Sequence, residues 1–194
     1  YLHDPDDHLD QAIAEGYPAL ATLRDEGLIS KTGAGMSNVP ALERILRETT
    51  VDEIMLAGRY TLMDRSAADS LLPICLEKNV NVVAVGVYGS GLLADPRPGA
   101  YYDWRTATDD EIDTALDYRD SFAQHGIPLQ AAAVQFPLQH PAIGSVGIGA
   151  RNATQSRENL DFHSWNIPSA LWRDLKAPAS TASIKSRGAE EPES

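Results

Sequence analysis

The sequence is short of positive charge, of cysteine and of long apolar runs. Sixteen basic against 28 acidic side chains give a net charge of −12, which repels phosphate groups and argues against nucleic acid or an anionic membrane as a partner. No apolar run approaches the ~20 residues of a membrane helix, and no signal-peptide pattern opens the chain. A small molecule is therefore the expected ligand.

The single cysteine, Cys75, excludes an internal disulfide. It lies in an apolar run typical of a packed helix, which favours a reducing, cytoplasmic location. An initial methionine is also lacking. The chain starts at Tyr1, and Leu2-His3 resembles the end of a buried strand, so we expect the chain to begin inside a structural element.

Short apolar runs that end in Gly, Ser or Asn alternate with longer helical patterns, which is typical of strand–helix units around a parallel sheet. The predicted strands are residues 2–3, 31–35, 53–57, 81–86 and 144–148. The predicted helices are residues 19–26, 40–47, 67–78, 109–125, 129–139, 154–162 and 169–175. Ser66 is expected to cap the third of these helices and Asn152 the sixth. Most consecutive strands are about 25 to 30 residues apart, as in a barrel of strand–helix units.

One longer gap, between Gly86 and Gly144, contains the segment 95–104, which is rich in proline and tyrosine. We expect this segment to lie over a ligand site, the alternative being a surface insertion without a role. From Ala177 onward, proline, serine, alanine and charge dominate, which predicts a disordered tail at 177–194 after a folded domain at 1–176.

Four segments, in this order, resemble the aldo/keto reductase family and together run through about nine-tenths of the chain. None of them is specific alone. They are Tyr-Leu-His-Asp-Pro-Asp at 1–6, Gly-Ala-Gly-Met-Ser-Asn at 33–38, the run from Val82 to Leu93 with its Gly-Ser-Gly-Leu-Leu turn, and Ile-Gly-Ala-Arg-Asn at 148–152 leading to Glu-Asn-Leu at 158–160.

A fifth stretch, residues 56–65, resembles the aldose 1-dehydrogenase branch of that family, which includes L-fucose, D-threo-aldose and D-galactose dehydrogenases and pyridoxal 4-dehydrogenases. The general family pattern has a glutamine beside the nicotinamide where Ala57 stands and an asparagine where Thr61 stands. This sequence departs from that pattern in the same way as the branch does.

The resemblance implies an α/β fold, namely the C-terminal part of a TIM (β/α)8 barrel with about five of its eight strand–helix units, strands four to eight. Five parallel strands do not close a barrel. Two open edges would remain, so we expect self-association or poor solubility of the chain alone.

The implied activity is that of an NAD(P)-dependent oxidoreductase. It would oxidise an aldose such as L-fucose or D-galactose at C1 to a lactone, or interconvert a carbonyl and an alcohol. In the family, a tyrosine acid/base works with a lysine, an aspartate and a histidine. Only the histidine has a counterpart here, His3, so the chain alone is expected to be inactive. The alternatives are a non-catalytic nicotinamide-nucleotide-binding regulatory protein and a truncated product.

The resemblance also assigns cofactor-binding positions. Ser37 and Asn38 would bind the nicotinamide carboxamide, although either could instead cap the following helix. Gly86, Ser90 and Gly91 would approach the pyrophosphate. Tyr88 could replace the aromatic residue that stacks on the nicotinamide in many relatives, because Val85 occupies that position. The implied adenosine end consists of Gly149, Ala150, Arg151, Glu158 and Asn159.

Either NADP or NAD fits these positions, because Gly149 and Gln155 stand where relatives strongly specific for NADP often have a further basic residue. The acidic, histidine-containing run 3–8 could alternatively form a metal site. Its ligand spacing on a turn is unspecific, and we predict no metal.

Overall fold

Five parallel strands form the main sheet of this protein, and the computed structural model describes residues 1–173 and 175. The strands are hydrogen-bonded in the order β1 (Leu2–His3), β2 (Gly33–Met36), β3 (Glu53–Ala57), β4 (Asn81–Val85) and β7 (Ile143–Gly147). All four neighbouring pairs are parallel, with His3 opposite Gly35 and Met55 opposite Val83. This arrangement confirms the predicted parallel α/β sheet and its five strands.

Helices follow the strands, and those after β2 and β3 pack on one face of the sheet. They are α1 (Leu9–Gln11), α2 (Tyr17–Asp25), α3 (Val39–Glu48), α4 (Leu71–Lys78), α5 (Asp109–Ala123), α6 (Leu129–Gln135), α7 (Ala153–His163) and α8 (Ser169–Arg173). Short 3-10 turns occupy Asp6–His8, Gly89–Gly91 and Pro137–Gln139, and Ala12–Gly16 is a π turn that joins α1 to α2.

Two predicted helix boundaries are wrong. The helix expected from residue 67 begins at Leu71, because residues 67–70 form turns and the Leu72 amide donates to the Ala67 carbonyl, at 3.0 Å and five residues back, outside the α-helical pattern. Ser66 therefore does not cap this helix. The helix expected to reach residue 139 ends at Gln135, because Pro137 has no amide hydrogen and the chain continues as a 3-10 turn.

Side-chain caps fix the beginning of three helices. The Asn38 side chain accepts from the Ala41 amide at α3, and the Asn152 side chain accepts from the Gln155 amide at α7, which confirms the predicted role of Asn152. At α5, Thr108 and Glu111 form a reciprocal capping box. These caps place the loops that precede the helices.

Alternation along β3 and β4 separates the two faces of the sheet. Ile54 and Leu56 of β3 and Val82 of β4 are buried against the helices, with α3 supplying Leu42 and Ile45, while Met55 and Val83 on the opposite face are only half-buried. A second core cluster lies between α5, α6 and the loop after β4; it includes Leu92, Leu93, Tyr102, Phe122 and Ala132. Burial of Cys75 in α4 raises the pKa of its thiol to about 12.

A two-stranded antiparallel hairpin was not predicted within the long gap. It consists of β5 (Tyr101–Tyr102) and β6 (Arg105–Thr106), joined by Asp103 and Trp104. Among the described residues, no helix is both long enough and apolar enough to cross a membrane. The predicted disordered tail at 177–194 lies outside the described residues.

Candidate active site

A cleft of about 510 Å³ opens at the carboxyl ends of the first four strands. Its walls come from β1 to β4, from the loops after β1 and β2 and from the hairpin. The lining residues are His3, Asp4, Asp6, Gly35, Met36, Ser37, Met55, Ala57, Val85 and Trp104. Barrel enzymes place their reacting groups at this end of the strands, so the position of the cleft is that of an active site.

His3 lies in the wall of this cleft. A Cβ added to Gly35 on the neighbouring strand would lie 3.3 Å from the His3 ring, so the glycine allows the imidazole to pack directly against the sheet. His3 Nδ1 is 3.1 Å from a carboxylate oxygen of Asp4, and both side chains are largely exposed. The ring is therefore available to a ligand in the cleft.

Ser37 and Asn38 follow β2 but differ in their surroundings. Ser37 lines the cleft, and its carbonyl accepts a hydrogen bond from Arg59 Nε at 3.2 Å. Asn38 accepts from the Ala41 amide at 3.1 Å and donates from Nδ2 to Asp6 at 2.7 Å. The helix-capping alternative is thus the arrangement seen for Asn38, while Ser37 remains open to the cleft.

Arg59, in the loop after β3, connects three loops around the cleft. Besides the Ser37 carbonyl, its guanidinium contacts Asp64 at 3.2 Å and Asp103 at 3.0 Å. Burial disfavours the charged form of Arg59, but the hydrogen bond and charge of Asp103, together with the charge of Asp64, outweigh it and raise the pKa of Arg59. The arginine stays charged and holds both carboxylates.

The hairpin reaches the cleft through Trp104, the last residue of the segment 95–104. Trp104 lines the cleft although 67% of it is exposed, and its amide donates to Ser90 Oγ at 3.1 Å. Gly89 has a φ of +55° and packs so closely on Tyr102 that an added Cβ would lie 3.0 Å from the ring. The glycine at this position therefore allows the hairpin to sit on the loop after β4.

The loop from Gly86 to Gly91 turns through left-handed backbone conformations, with φ values of +68° at Gly86 and +111° at Gly91. The Gly89 and Gly91 amides already donate within the loop, to the Gly86 carbonyl at 2.8 Å and the Tyr88 carbonyl at 3.1 Å. The Ser90 hydroxyl can still donate to a ligand, because its contact with Trp104 uses it as an acceptor.

Tyr88 lies at the adenosine end of the predicted cofactor site and not in the cleft with His3. Its hydroxyl donates to the Asn159 side chain at 2.8 Å. Burial and then the neighbouring charge of Glu158 raise the pKa of Tyr88 to about 12. The expectation that Tyr88 replaces a nicotinamide-stacking aromatic residue does not match this placement, because the side chain points to α7.

The remaining predicted residues surround the start of α7. Gly149, Ala150 and Arg151 are exposed, and no described atom lies within 4 Å of a Cβ built on Gly149. The Arg151 amide donates to the Gln155 side chain at 2.9 Å. Glu158 and Asn159 follow on α7, so the five predicted adenosine-end residues belong to one short loop and the helix after it.

Two departures from the general family pattern fall on the cleft itself. Ala57 and Val85 both line it, so small side chains stand where the pattern has a glutamine and an aromatic residue. Thr61 is buried, and its hydroxyl accepts from the amides of Met63 and Asp64 at 3.2 and 3.1 Å. Thr61 therefore shapes the loop after β3 and does not reach the cleft.

Within the described part of the chain, no group of three or more His, Cys, Asp or Glu side chains could hold a metal ion. The sequence assigned no role to Met55, Arg59, Asp103 and Trp104, which lie around the cleft. Of these, only Asp103 and Trp104 belong to a segment that the sequence predicted to lie over a ligand site.

The model of the aldo/keto reductase family matches residues 1–177. The chain belongs to the aldo/keto reductase family. It is 40% identical over 178 residues to a D-threo-aldose 1-dehydrogenase from a Pseudomonas species, covering 90% of this chain and 54% of that protein. It is 35% identical over 163 residues to a pyridoxal 4-dehydrogenase from Microbacterium luteolum, covering 84% and 48%.

Solved structures of this family show the same fold. An aldo-keto reductase from Bacillus halodurans in its apo form superposes with a TM-score of 0.70 at 25% identity, over 93% of this chain and 62% of that one. The chain spans about half the length of the curated relatives it matches. Its five strand–helix units are accordingly part of a TIM barrel of the aldo/keto reductase type.

Proposed function

We propose that the full-length protein containing this chain is an NAD(P)-dependent dehydrogenase that oxidises an aldose, such as L-fucose or D-galactose, at C1 to a lactone. The observation that carries the proposal is the position of His3. It lies at the carboxyl end of a strand, in the wall of a cleft that Ser37, a predicted nicotinamide-binding residue, also lines. The similarity to a D-threo-aldose 1-dehydrogenase supports the choice of an aldose.

Open space at two of the predicted cofactor-binding positions would suit a dinucleotide. Open space lies beside Gly91 and Gly149, where no described atom is within 4 Å of an added Cβ, so a ligand can approach the backbone at both places. Ser37 would bind at the nicotinamide end and the Ser90 hydroxyl at the pyrophosphate. Arg151 and Glu158 would bind the adenosine end. The bound nicotinamide supplies the hydride acceptor.

His3 would orient the substrate in this reaction. Its exposed ring can hydrogen-bond the C1 oxygen and hold C1 near the cofactor, since hydride transfer requires close approach and a fixed direction. By family resemblance, the acid/base tyrosine and its lysine and aspartate belong to strands that precede β1 in the barrel. We therefore propose that residues 1–194 alone do not turn over an aldose.

Three further features belong to this proposal. The cofactor is NADP or NAD, with exposed Arg151 as the residue that would meet a 2′-phosphate. The partner is a small sugar or carbonyl compound and not a nucleic acid or a membrane, because the net charge of −12 repels anionic surfaces. The location is the cytoplasm, since Cys75 is a buried thiol of the kind that packs without a disulfide.

The test uses the full-length protein, with NAD and NADP titrations followed by aldose assays that detect the reduced nicotinamide. We expect binding and turnover, and a kcat lower by on the order of 100-fold for His3→Asn. His8→Asn is the matched control, because His8, in the turn that follows β1, is exposed but does not line the cleft. Cofactor binding without turnover of any aldose or carbonyl would favour the non-catalytic regulatory alternative and refute the proposal.

A further inference from the structure

The turn of the hairpin has an unfavourable sequence for its backbone shape. Asp103 and Trp104 both have positive φ, +48° and +61°, as the two central residues between paired Tyr102 and Arg105. Such two-residue turns favour Asn-Gly or Asp-Gly, because a bulky side chain is strained in the left-handed region. Strain of this kind persists where the surrounding structure holds it, and it is common at binding sites.

Burial of Trp104 in a core does not explain its presence in this turn, because 67% of the residue is exposed. The same residue lines the cleft that also contains His3, Ala57 and Val85. Its indole is thus an exposed apolar surface in the wall of the cleft. A flat aromatic surface of this type packs well against the apolar C–H face of a sugar ring.

The turn is held in place from both sides. Arg59 Nη2 contacts the Asp103 carboxylate at 3.0 Å, and the Trp104 amide donates to Ser90 Oγ at 3.1 Å. The side chains of Arg59 and Asp103 are 23% and 17% exposed, so water screens their pairing less than that of a surface ion pair. Because Arg59 is also fixed by Asp64 and the Ser37 carbonyl, the hairpin is tied to the loops after β2 and β3.

We propose that Arg59 is a positioning residue for the substrate, which acts through Asp103 to hold the Trp104 ring over the cleft so that the C–H face of an aldose packs against the indole. This inference rests on the proposed function, and it adds Trp104 to the same site as a specificity-determining residue. Arg59 itself does not touch the substrate.

Trp104→Gly separates a binding role from a structural one. It creates Asp-Gly, the favoured sequence for this turn, so the melting temperature should stay unchanged or rise. The KM for L-fucose or D-galactose should increase about ten-fold, while kcat and the KM for the nucleotide change much less. Trp104→Phe keeps an aromatic ring and should restore most of the affinity.

Asp103→Asn removes the charge that Arg59 holds and leaves Trp104 in the sequence. We expect the KM for the aldose to be several-fold higher. We also expect acrylamide to quench the fluorescence of Trp104 more strongly, with the fluorescence of the Trp104→Gly protein subtracted to remove the contribution of the other tryptophans. In the Trp104→Gly protein, Asp103→Asn should have no further effect on KM, because the two residues act through one contact. Asp120→Asn is the matched control, since it removes an exposed ion pair with Arg119 on α5.

An unchanged aldose KM in an active Trp104→Gly protein would overturn the inference and leave the proposed function intact. Additive effects of Asp103→Asn and Trp104→Gly on KM would overturn the positioning role of Arg59 in the same way. If the unmodified protein binds NAD or NADP but neither binds nor turns over an aldose, the proposed function fails first and the inference falls with it.

Discussion

Glu111→Gln should destabilise the protein by about 1–2 kcal/mol at neutral pH. The Glu111 side chain is 7% exposed and accepts from both terminal nitrogens of Arg105, at 2.9 and 2.6 Å, and from the Thr108 amide at 2.8 Å. Hydrogen bonds to a buried charge contribute about 1.5–3 kcal/mol. The amide retains one acceptor oxygen, and Arg105, which is 42% exposed, can be hydrated, so the expected loss lies at the lower end.

The destabilisation should depend on pH. The Arg105 hydrogen bonds are the main cause that lowers the pKa of the Glu111 carboxyl in the folded state, with the Thr108 amide adding to them and burial opposing them. A carboxyl with a lowered folded pKa stabilises the protein above its unfolded pKa of about 4.3, and this stabilisation is lost as the pH falls through the folded pKa. The difference in unfolding free energy between the unmodified protein and the Glu111→Gln variant should therefore have its maximum value at pH 7 and decrease at acidic pH.

Urea unfolding of the unmodified protein and of the Glu111→Gln variant at neutral and acidic pH measures this difference. Asp117→Asn is the matched control, because Asp117 is exposed on the same helix, and it should change stability by less than about 0.5 kcal/mol. A loss of the same size at both pH values would refute the argument from the ionised carboxylate. No loss at neutral pH would refute the capping and pairing contacts themselves.

Two further predictions concern the core and the sheet edges. Leu42→Ala, at a fully buried position of α3, should lower the free energy of unfolding by about 2–5 kcal/mol in urea titrations. The control is Leu28→Ala, at a residue that is 70% exposed. A loss for Leu42→Ala no larger than that of the control would contradict the assignment of Leu42 to the core. Residues 1–194 expressed alone should self-associate, since β1 and β7 are the edges of the described sheet. Sedimentation velocity showing a concentration-independent monomer would contradict this.

The parallel sheet could be predicted because each strand carries its own local signal. β3 and β4 alternate between buried and half-buried residues and are bounded by polar or glycine residues, so their limits were nearly right. The start of β2 moved from residue 31 to Gly33, because the Thr32 amide donates to the Asp52 side chain at 2.8 Å and lies outside the ladder. That contact joins residues far apart in the sequence and leaves no local pattern.

The hairpin and the beginning of α4 could not be predicted from the local sequence. Two-residue strands have too few positions for a period, so β5 and β6 gave only a loop signal. Residues 67–70 have helical composition, but they form turns, and the Leu72 amide donates to the Ala67 carbonyl five residues back. In the second case, composition indicates a helix but does not determine where it starts.

The candidate site was predictable in part for the same reason. His3 and Ser37 stand directly after strands or at their ends, where the carboxyl ends of a parallel sheet meet, so position alone indicated the cleft. The function of Arg59 was not visible, because its acceptors are 22, 5 and 44 residues away along the chain. Asn38 shows a different limit, since one short polar side chain suits both a helix cap and a ligand.

Ala57 and Val85 depart from the general family pattern at the same cleft that the hairpin enters. Small side chains at these two positions widen the cleft where the general family pattern has a glutamine and an aromatic residue. Trp104 enters the same cleft from the hairpin and supplies an aromatic surface from another direction. An aromatic ring on a turn can keep a fixed direction only if the turn is held. The contacts of Arg59 and Ser90 with that turn are therefore as much a part of the site as the ring itself.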